Sequence, residues 1–114
     1  MTDQLEEIKR TFIDNSIDQL LGLKEKLVNA DFLNPEFKVD GIAEEVFMIM
    51  HGMSGTAPML GLDSLTHVSR KLELVFDKIR KGEKDLSEQL SLQTIRGIDS
   101  LIDELRCNSE KIAL

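Results

Sequence analysis

The stretch that could do chemistry is His51-Gly52-Met53-Ser54-Gly55-Thr56-Ala57-Pro58-Met59-Leu60-Gly61-Leu62. It opens on one of the two histidines of the chain and holds three of its seven glycines. A neutral imidazole is available as a nucleophile near pH 7, because its unperturbed pKa is about 6.5. Glycine inside a helix costs about 0.5–1 kcal/mol relative to alanine, so Gly52 and Gly55 need a reason other than helix formation. Gly55 lies one turn beyond His51 on the same face, and its missing side chain opens space beside the imidazole. His51 is rotated by roughly 100° from Met50, at about 3.6 residues per turn, which sets it on the margin of an apolar stripe. An exposed imidazole beside bare helix is what docking of another protein onto that histidine requires. The plainer reading, a boundary histidine without a role, stays open on these residues alone.

The elements that must position this stretch are four helices. Leu5, Ile8, Phe12, Ile13, Ile17, Leu20, Leu23 and Leu27 recur at steps of three or four and predict one amphipathic helix from Asp3 to Asn29, opened by the capping pair Asp3 and Glu6. A connection follows from Ala30 to Lys38, where Asn34-Pro35 signals a turn or a single helical turn. The second helix is predicted from Asp40 to Ala57, with Ile42, Val46, Ile49, Met50, Met53 and Ala57 as its stripe. Its run Val46 to Met50 is apolar all round, which implies several packing neighbours. Pro58 and Gly61 end it. The third is predicted from Asp63, as capping residue, to Lys81, with Leu65, Val68, Leu72, Val75, Phe76 and Ile79 inward and Gly82 just beyond. The fourth opens on the pair Asp85 and Glu88 and runs through Leu92, Ile95, Ile98, Ile102 and Leu105 to Cys107, leaving a tail that frays. Short connections make neighbouring helices antiparallel. The fold class is therefore all-α, an up-down-up-down four-helix bundle with residues 1–114 as a single domain.

Composition excludes several functions. A chain of 114 residues is long enough for one core, and 41% hydrophobic against 31% charged residues is a globular balance. Fourteen Lys and Arg against 21 Asp and Glu give a net charge of -7, which repels phosphate backbones and anionic lipid, so neither nucleic acid nor a membrane is an expected partner. The single cysteine, Cys107, forms no internal disulfide, and no Cys and His spacing supports zinc. No apolar run approaches a membrane span, and Met1 leads into acidic residues unlike a signal peptide, so a cytoplasmic protein is expected. The end at Leu114 without a linker-like tail favours a free-standing protein over the first domain of a longer kinase, and a monomer is expected because the sequence demands no helix pair from a second chain.

From His51 through Gly82 the chain resembles a histidine-containing phosphotransfer domain, similar to the N-terminal phosphotransfer domain of CheA-type chemotaxis kinases. That family's pattern is His-x-x-Lys-Gly, small residues, and a hydrophobic-Gly-hydrophobic end to the helix. On the next helix it continues with a glutamate, then Leu, Asp and Arg-x-Gly. His51, Gly55, Ala57, Leu60, Gly61 and Leu62 match the first part, and Glu73, Asp77, Arg80 and Gly82 match the second. The resemblance implies a bundle of four or five helices with the histidine on the second long one. It also implies a phosphoryl group carried on Nε2 of His51, taken from a histidine kinase or phosphorylated receiver and given to an aspartate of a response-regulator receiver domain. Glu73 would accept a hydrogen bond from Nδ1–H, fix the tautomer and stabilise the cationic ring. No cofactor is expected on this chain; magnesium is expected on the partner receiver. Nothing resembles a nucleotide-binding loop, so the chain should be a phosphocarrier and not an enzyme.

One departure matters. Where the family has a lysine three residues after the histidine, this chain has Ser54, which donates a hydrogen bond but carries no charge. Arg70, one turn before Glu73, is a candidate to reach the same space, so Ser54 and Arg70 are both expected near the phosphoryl group. Gly52, Met53, Gly55 and Met59 are expected to frame the docking surface, which for a transient interface buries less than about 1,200 Å². The missing lysine keeps a second reading alive, a docking or inhibitory module that binds a kinase or regulator without transferring phosphate. Asp63 and His67 have a spacing that permits one metal pair, but no second pair and no Glu-x-x-His accompanies them, so His67 is expected to be a bystander and no metal is expected.

Overall fold

The computed structural model describes the backbone of residues 2–34 and 36–113, and their side chains except at 2, 3, 40, 112 and 113. Among them are four α-helices and no strand: α1 Thr2–Val28, α2 Asp40–Thr56, α3 Asp63–Arg80 and α4 Glu88–Ala113, with a 3-10 turn at Ala57–Leu60 after α2. Cross-helix pairs give the directions. Lys26 of α1 meets Glu45 of α2 at 2.5 Å, whereas Phe12 and Ser16 share a cleft with Met53 and Thr56. Glu44 of α2 lies 3.8 Å from Arg80 of α3, whereas His51 meets Glu73. Leu72 of α3 faces Gly97 of α4, whereas Leu65 shares a cleft with Asn108. Lys24 of α1 pairs with Asp99 of α4 at 2.8 Å, and Leu27 lies by Ser91. Each contacting pair of helices is antiparallel, and the chain runs up, down, up and down around one core.

That core is aliphatic. Ile13, Leu20, Leu23, Val46, Met50, Leu65, Phe76, Ile98, Leu101 and Leu105 are fully enclosed, and each such side chain contributes about 1.5–3 kcal/mol of transfer free energy. Two of the hydroxyls buried with them bond back along their own helices: Ser69 Oγ donates to Leu65 O at 2.7 Å and Thr94 Oγ1 to Leu90 O at 2.8 Å. Two glycines end the elements that carry the site. Gly61 has φ 73° and lets Leu62 N–H return to Ala57 O. Gly82 has φ 77° and closes α3, with Glu83 N–H on Lys78 O and Gly82 N–H on Ile79 O. A β-carbon at such φ clashes with the carbonyl that follows, so glycine is the fitting residue.

The structure corrects several expectations. Leu5, Ile8 and Leu92 are exposed, although each continues a helical stripe. Met48 is exposed too, so α2 is not enclosed on every side. Helix α4 begins at Glu88, capped by Ser87, whose Oγ accepts the N–H of Leu90 at 3.1 Å; Asp85 lies outside it. Its end is Ala113 and not Cys107, so residues 108–113 continue the helix and Leu114 lies outside the described residues. Asp63 is the first residue of α3 and not its cap, a place taken by Leu62 without a side-chain bond. The Asp3 side chain, half of the first capping pair, lies outside the described residues. In the first connection Asn34 Oδ1 accepts the N–H of Glu36 at 3.0 Å, an Asx turn, while Pro35 lies outside the described residues.

Candidate functional site

His51 opens the fourth turn of α2, directly before Gly52 and Gly55, and its side chain is 65% exposed. Its Nδ1 lies 3.1 Å from Oε2 of Glu73, which projects from the middle of the antiparallel neighbour α3 and is 20% exposed. The other oxygen of that carboxylate, Oε1, accepts the Ser54 hydroxyl at 2.5 Å. Ser54 Oγ also lies 3.1 Å from His51 O, but a hydroxyl has one proton, and the charged acceptor at the shorter distance takes it. The Ser54 bond is the largest cause holding the Glu73 carboxyl below the usual range; burial opposes it, and the bond to His51 and the nearby Arg70 charge reinforce it. An ionised carboxylate is acceptor only, so Nδ1 carries the proton and the lone pair belongs to Nε2. Nε2 has no hydrogen-bond partner among the described residues. The arrangement is a solvent-facing nucleophilic nitrogen on a ring oriented by a carboxylate that is itself oriented.

The remaining expected site residues divide. Gly52 and Gly55 are exposed, and a β-carbon at either would meet no atom within 4 Å, so packing inside the chain does not require them. Met59 is 80% exposed on the 3-10 turn beyond α2. Met53 is 3% exposed and belongs to the core, which removes it from the docking surface. Ser54 is 4% exposed with its hydroxyl aimed at Glu73 and not at solvent, so it is placed as a partner of the carboxylate and away from the phosphate contact expected of it. Arg70 is exposed and makes no ion pair among the described residues; only its charge reaches Glu73. His67 is exposed and shares a shallow dent with Asp63, Arg70 and Leu74, and among the described residues no three His, Cys, Asp or Glu come together to hold a metal.

The sequence reading missed Phe47, which stacks on the His51 ring with centroids 5.6 Å apart and planes 16° from parallel. The Arg80 guanidinium carbon lies 3.8 Å from the Phe47 ring centroid, and its Nε donates to Asp77 Oδ1 at 2.8 Å. Lys81 and Arg80, bonded to the Asp77 carboxyl, hold it below the usual carboxylate range. The available signal was spacing, since Phe47 stands four residues before His51 and therefore on the same face.

Comparison with known proteins gives the family of the chain. The Hpt domain description matches residues 7–106, which covers His51, Glu73 and all but the outer ends of the four helices. The chain belongs to the Hpt domain family. Hpt domains are phosphocarriers rather than enzymes, modules of two-component signalling that work with histidine kinases and response regulators. This Hpt domain is also similar to the sensor histidine kinase CheAY of Helicobacter pylori, with 30% identity over 97 residues, 85% of this chain and 12% of that protein. The chain thus spans about an eighth of its relative's length. No solved structure gives a significant match. Among the described residues no helix is long and apolar enough to cross a membrane.

Proposed function

We propose that the chain carries a phosphoryl group on Nε2 of His51, taken from a histidine kinase or a phosphorylated receiver domain and given to an aspartate of a response-regulator receiver. The observation that carries this reading is the 65% exposed imidazole whose Nδ1 is held 3.1 Å from Glu73. In the transfer, the Nε2 lone pair forms the N–P bond as the donor's bond to phosphorus breaks, and the donor keeps that electron pair. The ring becomes cationic while its Nδ1–H remains on a carboxylate, which stabilises the charge. Onward transfer reverses this, with the aspartate oxygen as nucleophile and magnesium on the receiver neutralising the moving group. Gly52 and Gly55 leave the helix surface next to His51 bare for a partner, Met59 is exposed beyond them, and the charge of Arg70 reaches Glu73.

The test is labelling by phosphoramidate, a small phosphoryl donor, and by a histidine kinase domain, followed by addition of a receiver domain with magnesium. Acid-labile, base-stable phosphate should appear on the wild type, be absent from His51→Gln, and pass to the receiver. A wild type that stays unlabelled, or label that persists in His51→Gln, overturns the reading. The second reading, a docking module without transfer, is favoured by Ser54 standing where the family has a lysine and turning its hydroxyl inward. It predicts an unlabelled wild type in which His51→Ala leaves partner binding intact.

A further inference from the structure

Asp77 and Arg80 match the family's pattern, yet neither touches the imidazole, and the chemistry above gives them no task. The geometry assigns them one through Phe47. A hydrogen bond from Nδ1 to Glu73 fixes one atom of the His51 ring but leaves rotation about that bond, and a side chain 65% exposed has few walls to stop it. Phe47 supplies the missing constraint: its ring lies 5.6 Å from the imidazole and within 16° of parallel, so it sets the plane in which the Nε2 lone pair points. Phe47 is only half-buried and would itself turn, but the Arg80 cation rests 3.8 Å from its centroid. Arg80 in turn is tethered to Asp77 at 2.8 Å and lies 3.8 Å from Glu44 at the start of α2. We propose that Phe47 and Arg80 are positioning residues for phosphoryl transfer, Arg80 holding the Phe47 ring and Phe47 holding the plane of His51.

This inference rests on His51 being the phosphoryl carrier, and its test keeps the two apart. Phosphoramidate is used as donor, since it needs no protein partner. The Nε2 lone pair takes the phosphoryl group, the P–N bond of the donor breaks, and ammonia leaves with that pair. Phe47→Leu keeps bulk but removes the flat face and should slow labelling of His51 about two- to tenfold, the range that an aromatic pair commands. Phe47→Tyr, which restores the face, should return the rate to near the wild-type value. Arg80→Met should slow labelling by about twofold, while Arg80→Lys, which keeps the cation, should recover part of it. Nitrogen-15 NMR of the imidazole should show the Nδ1–H form retained in Phe47→Leu, because Glu73 is untouched, together with loss of the ring-current shift on the His51 carbon-bound protons. Labelling of Phe47→Leu at the wild-type rate, or slow labelling that Phe47→Tyr does not restore, overturns the positioning role. An unlabelled wild type overturns the carrier itself.

Discussion

Replacing Ser54 by alanine tests how this Hpt domain holds its carboxylate. The hydroxyl donates to an ionised Glu73 from a position 4% exposed, and a hydrogen bond to a charged group contributes about 1.5–3 kcal/mol where water is excluded. Glu73 retains 20% exposure, so water recovers part of the loss and about 1–2 kcal/mol should go. Alanine is the better helix former by about 0.5 kcal/mol, which leaves a net loss of about 0.5–1.5 kcal/mol at neutral pH. For a domain of this length that is a fall in Tm of about 2–7 °C. The pH dependence carries the decisive sign. Glu73 is held below its ordinary value of 4.5 in the folded chain. Between those two pH values the unfolded chain binds a proton that the folded chain refuses, so stability falls as pH falls. The contribution is whole above pH 4.5 and is lost as pH drops through the folded value. Ser54→Ala brings Glu73 back toward its ordinary value, so the gap between wild type and variant should be full near neutrality and narrow in acid. Thermal melts followed by circular dichroism from about pH 7 to pH 3 measure it. A gap of equal size at both ends, or none at pH 7, refutes the account of Ser54 as the carboxylate's partner.

Three further outcomes follow from the same geometry. Glu73→Gln keeps an acceptor for Nδ1–H but removes the charge facing a ring that becomes cationic, so labelling of His51 by phosphoramidate should fall about 10- to 100-fold. Gly55→Ala fills exposed helix surface where a β-carbon meets nothing, so it should raise stability by about 0.5–1 kcal/mol in denaturant melts. If the bare surface serves a partner, the same change should raise the KM for transfer to a receiver domain. Gly82→Ala places a β-carbon at φ 77° and should cost about 1–2 kcal/mol in the same melts, with labelling unchanged at temperatures where the chain stays folded.

The helices were legible because their stripes are periodic and their ends are punctuated: Pro58 and Gly61 after α2, and Gly82 after α3, stand where the structure turns. What periodicity does not report is whether a neighbour covers the stripe. Leu5 and Ile8 keep the spacing of α1, but Phe12 and Ser16 already lie beside the last turn of α2, so the two earlier residues extend past it into water. A similar gap explains Asp85. Two candidate caps stand two residues apart, and the sequence pattern favoured the pair with Glu88, whereas the chain uses the hydroxyl of Ser87 directly before the helix. His51 and Glu73 were found through a pattern that spans two helices, and the structure brings them together at 3.1 Å.

Ser54 shows why residue type and residue direction must be read together. Three residues after His51 it is rotated by about 60° toward Met50 and the core, whereas Gly55 is rotated by about 40° the other way. A lysine there has the length to leave the core margin and reach the solvent side of the imidazole; a serine does not, and its hydroxyl turns to the nearest charged acceptor, Glu73. Ser54 therefore supports the carboxylate that orients the ring, where a lysine, on the carrier reading, would support the phosphoryl group. On the carrier reading, charge on the moving phosphoryl group is then met chiefly by the receiver's magnesium, and this domain's own contribution is orientation: Glu73 on one nitrogen, Ser54 behind Glu73, and Phe47 on the face of the ring.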